Sequence, residues 1–271
     1  ASLYLSELFI TDMDDFNGIT EIGYRLIIEN NDDLADISGL ANLESINDDV
    51  PECTDDDPMC EMMGPTSEFT IRFNRLMFDI DGFASLTTVD ANTMNITHNE
   101  NLGDVSGFAN LATSKAAISI SANPSLHTIS GFESLTTIDQ FLSIESNNDL
   151  VELNGFDALE TAGLRIQNEA RLVEVRGFNS LTTFTSAGLL IQYNPVLYSF
   201  WGLDNVTTSE GGVSIVSNAS LDNLDGLMSL TSVTYTQVRL NHNLCQSFVD
   251  DYVAGITYDS LGTVTGNLDG C

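Results

Sequence analysis

Basic side chains are almost missing from this sequence. Eight Lys and Arg, with Lys115 the only lysine, stand against forty Asp and Glu and leave a net charge of −32. Such a chain repels phosphate backbones and anionic lipid, which excludes nucleic acid and charged membrane surfaces as partners. No apolar run approaches the roughly 18 residues that a membrane-spanning helix needs, and no signal peptide stands at Ala1. Either the chain is cytosolic, then, or its numbering begins after cleavage. Cysteine is scarce too, at four residues. Cys53 and Cys60 enclose the acidic loop Thr-Asp-Asp-Asp-Pro-Met, while Cys245 and Cys271 flank the last segment. A zinc site would want thiols two to four residues apart, so two disulfides, Cys53–Cys60 and Cys245–Cys271, are the better reading, and with them a secreted or cell-surface protein.

Catalytic groupings are equally lacking. His98, His127 and His242 are scattered, and the doublets Asp14-Asp15, Asp32-Asp33, Asp48-Asp49 and Asp250-Asp251 have no histidine beside them. There is no Ser/His/Asp order, phosphate-cradling glycine loop or metal-ligand helix pair, so the chain is not expected to be an enzyme. Calcium is the one cofactor considered. Asp12, Asp14 and Asp15 offer hard oxygen ligands at short spacing, as do Asp55, Asp56 and Asp57, but neither set has the distal bidentate Glu of an EF-hand.

What is present is one register repeated from end to end, about every 24 residues: apolar-x-apolar-x-x-Asn-x-x-Leu-x-x-Ile-x-Gly-Phe. Its marker is Asn31, Asn74, Asn99, Asn123, Asn147, Glu169, Asn194, Asn218 and Asn243. Fixed self-similarity of this length is the signature of a solenoid, whose coils contact only their neighbours. With the marker as position zero, −5 and −3 alternate as a short strand, from Leu26/Ile28 and Phe69/Ile71 through to Val238/Leu240. Positions +3 and +6 are apolar in every coil before the last. Phe83, Phe108, Phe132, Phe156 and Phe178 at +9 would stack as a ladder, and the glycine before each would supply a positive φ or a close approach between coils. The marker itself is assigned to the turn after the strand, bonding backbone of the next coil and tolerating a left-handed conformation.

The expected architecture is an all-β solenoid, a right-handed parallel β-helix of about nine coils forming one domain. Residues 1–25 are a cap and partial coil, 26–46 the first full coil, 47–65 an acidic insertion, 66–243 the repeats and 244–271 a C-terminal cap. A helix over 246–254 would cover the open end with Phe248, Val249, Tyr252 and Val253. A local irregularity is expected in the shortest coil, where Glu169 replaces asparagine.

The coil Leu142-Ser-Ile-Glu-Ser-Asn-Asn-Asp-Leu-Val-Glu-Leu-Asn-Gly-Phe-Asp-Ala-Leu159, with Ser134-Leu-Thr-Thr-Ile138 before it, resembles the receptor L-domain family. That family includes ligand-binding lobes of insulin and epidermal growth factor receptors and fungal and bacterial surface proteins. The resemblance covers most of the chain and implies a β-helix related to leucine-rich repeats, an extracellular site and a binding or structural role. It supplies no catalytic residues. The chain has few cysteines and no cysteine-rich module, so growth-factor binding is not implied.

Charge then points to a face. The outward strand positions −4, −2 and −1 of nine coils hold two acids, Glu29 and Glu145, and three bases, Arg72, Arg165 and Arg239. This face nets +1, leaving −33 on the rest of the chain. Avoidance of stacked like charges explains part of that. A partner that docks there, a protein or glycan at the cell surface, explains why arginines gather with Phe73, His98 and Tyr193. Copies of the chain itself are the alternative partner, in a filament or coat. At +7, polar in most coils, Arg176 and Trp201 stand in successive coils as a candidate cation–π pair or contact hot spot. Threonine pairs such as Thr136-Thr137 raise ice binding only weakly, because adjacent strand residues point to opposite sides.

Overall fold

The computed structural model describes residues 1–49 and 66–271. It is a β-solenoid of about ten turns with one short C-terminal helix. Its strand pairs are parallel, from Leu3–Ser6 on Arg25–Glu29 at one end to Ser232–Arg239 on Thr257–Leu261 at the other. Three rows of strands run along the axis. The longest-stranded row carries positions −6 to −2 of each coil; a second consists of two-residue strands such as Thr88–Val89 and Thr113–Ser114. The third row is a separate, smaller sheet that pairs Asp104–Val105, Thr128–Ile129 and Glu152–Leu153.

The alternating apolar pairs face inward as the pattern requires, and one continuous core holds positions −5, −3, +3, +6 and +9. The rings of Phe83, Phe108, Phe132, Phe156 and Phe178 stack at 4.9 to 5.3 Å, close to the spacing between parallel strands. Stacking at this distance makes each ring part of its neighbour's packing. Glycine precedes the rings for both expected reasons. Gly131 has φ +92°, and a Cβ on Gly82 would lie 2.2 Å from the Ile37 carbonyl oxygen.

The marker asparagines from Asn31 to Asn218 form a second ladder, fully buried. At the corner after each strand the residue at −1, not the marker, is left-handed, including Phe73, His98, Ser146 and Tyr193. That corner carries the marker's N–H into the interior, where an unpaired donor is costly. The next marker supplies the acceptor: N–H to Oδ1 distances include 3.1 Å from Asn74 to Asn99 and 3.0 Å from Asn99 to Asn123. Each amide group also donates to a backbone carbonyl, as Asn123 does to Ile96 at 2.9 Å.

The structure corrects the last coils. The ladder passes through Asn241, not Asn243, and continues to a tenth rung at Asn267. The inward pair is therefore Thr236/Val238, and Leu240 is exposed. The strand Thr257–Leu261 adds a turn to the expected nine. The helix Gln246–Gly255 sits within that turn; Val249 and Tyr252 are buried and Val253 partly so, but Phe248 faces outward. The Cys245–Cys271 disulfide forms, with Cα atoms 5.8 Å apart. Cys53, Cys60 and the insertion from residue 50 lie outside the described residues.

Candidate functional site

The strand face is built by side chains that alternate away from the core, so its contents follow from the register. At its N-terminal end Arg72 donates through Nε to Glu29 at 2.6 Å, its guanidinium lies 5.9 Å from the Phe73 ring centre, and Phe73 meets His98 at 4.8 Å. Tyr4 also donates to Glu29. Burial alone would raise the Glu29 carboxyl, but the bonds from Tyr4 and Arg72 outweigh it and hold the group below the ordinary carboxylate range. Arg72, Phe73 and His98 thus come together as one cluster.

The other face residues stand apart from it. Four coils separate Arg72 from Arg165, roughly 19 Å of stacked strands. Arg165 lies 4.0 Å over the Phe141 ring, and Arg239 and Tyr193 belong to other coils. Among the described residues neither Arg165 nor Arg239 forms an ion pair, whereas Arg75, Lys115 and Arg171 on other sides each hold an acid. The face is also less uniformly open than alternation suggests: Ile27, Glu29 and Thr70 are buried.

Arg176 and Trp201 occupy a different side, beside the third row of strands. The expected cation–π pair is not formed, because Arg176 turns to Glu174, its Nε 2.6 Å from Oε2. Trp201 remains 49 % exposed. Sequence reasoning did not find what surrounds them. Column +4, occupied by Gly103, His127 and Asp222 in other coils, is Val151, Val173 and Tyr198 in three successive ones. Val173 and Tyr198 are exposed.

Asp12, Asp14 and Asp15 do not converge. Asp14 and Asp15 start a short 3-10 helix, Asp12 accepts from Thr11, and no cluster of three His, Cys, Asp or Glu suited to a metal occurs among the described residues. The threonine pairs acquire a structural role: the first hydroxyl donates to the carbonyl one coil back, as Thr136 does to Ala112 at 3.1 Å and Thr87 to Glu44 at 3.1 Å. Both members of each pair reach the surface, contrary to the simple alternation. Of the Asn-x-Ser/Thr sites, Asn218 is a buried rung and is closed to glycosylation in the folded chain.

No helix among the described residues is long and apolar enough to cross a membrane. Comparison with protein-family models, curated proteins and solved structures finds no match.

Proposed function

We propose that this chain is a non-enzymatic, extracellular recognition or adhesion module that binds a protein or glycan partner on its acid-poor strand face. The charge distribution carries the reading: a face netting +1 on a chain of −32 is where a partner meets least repulsion. The Arg72–Phe73–His98 cluster supplies the aromatic and guanidinium anchors that concentrate binding energy. The Cys245–Cys271 bridge fits an oxidising compartment, and the likeness of the repeat to receptor L-domains favours the same location. The test is pull-down or glycan-array binding by wild type and by a triple variant, Arg72→Glu, Arg165→Glu and Arg239→Glu, with near-ultraviolet circular dichroism as a folding control. Loss of binding in the folded variant supports the face; full retention sinks it.

A second reading, a subunit that stacks into filaments, rests on the ends. Leu3–Ser6 and Thr257–Leu261 each pair on one side only among the described residues, and every residue of the latter is exposed. Open edges template further strands. Both ends are acidic, through Glu7 and Asp12 at one and Asp259 and Asp269 at the other, so stacking would require screening salt. Electron microscopy at high salt separates the readings: ordered polymers favour assembly and dispersed monomers favour the binding module.

A further inference from the structure

We propose that the side of the solenoid bearing Trp201 carries a carbohydrate site, separate from the strand face, that takes a neutral oligosaccharide. Three depressions, of about 360, 340 and 430 Å³, lie in series there. The first two share Arg176 and the last two share Asn179, so they form one trough, each part the size of a small-ligand site. A linked row of similar depressions suits a chain of similar units better than one compact molecule.

The trough's chemistry selects the unit. Trp201, the only tryptophan, lines the middle depression with half its surface in water, a platform for the C–H face of a pyranose ring. The polar groups beside it are already held. Arg176 is fixed by Glu174, Asn179 donates to Asp157 at 2.6 Å, and Asn205 donates to the Asn179 carbonyl at 2.7 Å. Side chains locked before binding lose little freedom on binding. Glu160 adds a carboxylate acceptor to the last depression. An excess of acceptors wants a ligand rich in O–H donors, and Arg176 wants acceptor oxygens; a sugar offers both. Anionic glycans meet carboxylates in the trough and −32 on the chain.

The lone tryptophan makes the test local. Its emission is followed while neutral gluco-, manno-, galacto-, xylo- and N-acetylglucosamine oligomers are added, with oligogalacturonate and oligolysine as charged controls. The expected result is saturable change with at least one neutral oligomer at millimolar concentration or below. That response should weaken by about tenfold or more in Arg176→Ala and in Asn179→Ala. It should persist in the triple strand-face variant, so failure of this site and failure of the strand-face reading are distinguishable. Titration calorimetry of Trp201→Phe, which keeps a ring, should show weakened rather than abolished binding. No saturable change with any neutral oligomer overturns the proposal. So does a response confined to oligolysine or the acidic glycan, or one indifferent to both substitutions.

Discussion

The coil from Asn99 to Asn123 and the coil from Asn147 to Glu169 share the same core columns, yet the second is two residues shorter and ends on an acid. The missing residues are absorbed on the surface. Between Thr137 and Phe141 the neighbouring strand steps against Thr161 and Gly163, so Asp139 and Gln140 face solvent and no core position is lost. The acid is absorbed less easily. Glu169 Oε1 accepts the Asn147 N–H at 3.1 Å and its amide at 3.2 Å, as an asparagine would, but Oε2 has no partner. Burial drives its carboxyl up to about 8. A solenoid of this kind tolerates deletions at its corners more readily than charge on its inner ladder.

Breaking the regular coil should have the largest effect. Asn123→Ala removes the acceptor for the Asn99 N–H and amide and the donor to the Ile96 carbonyl. Orphaned buried groups cost about 1 to 3 kcal/mol each, so chemical denaturation should show a loss of about 5 kcal/mol. A loss below about 1 kcal/mol would mean that water satisfies the ladder. Phe132→Ala removes a ring stacked on Phe108 and Phe156 and should cost about 3 to 5 kcal/mol. An effect nearer 1 would show that the neighbours close over the gap.

The short coil should respond in the opposite sense. The Glu169 carboxyl is raised from 4.5 to about 8, so its contribution is whole below pH 4.5 and declines as the pH rises toward 8, while only the unfolded chain ionises. Glu169→Gln keeps the acceptor and adds a neutral donor. It should match wild type near pH 4 and exceed it by about 4 kcal/mol at pH 8. Parallel stability curves for the two proteins across that range would show that Glu169 reaches water.

Legibility in the sequence follows the same division. Columns repeated in eight or nine coils, such as the Phe132 ring or the Ile118/Ile120 pair, announce themselves by period, because each of those coils needs them buried. The strand face was legible as a list of residues but not in its contacts. Ile27 and Glu29 occupy outward positions and are buried, and only in the folded chain is Arg72 seen spent on Glu29. The Trp201 trough has no repeat to reveal it; the apolar run Val151, Val173 and Tyr198 at one column was the available signal. Where two registers fit equally, as with Val238 and Leu240 before Asn241 and Asn243, the pattern alone could not choose. Burial of Thr236 beneath Tyr252, with hydroxyls 3.4 Å apart, favours the first.

That last distinction yields the smallest expected effect and the sharpest check on the register. Asn243 lies on the surface, and its amide reaches only the half-buried Asp222 at 3.4 Å. Asn241 is buried, accepts the Asn218 N–H at 2.9 Å and donates to the Ile215 carbonyl at 3.1 Å. Asn243→Ala should therefore change stability by less than about 0.5 kcal/mol, as surface substitutions do. Asn241→Ala should approach the cost of Asn123→Ala, tempered by its place near the end, where coils open more readily. Denaturant midpoints of the two variants measure the difference directly. If Asn243→Ala were the more damaging, the ladder would run through the wrong asparagine, and the tenth rung at Asn267 would lose its support.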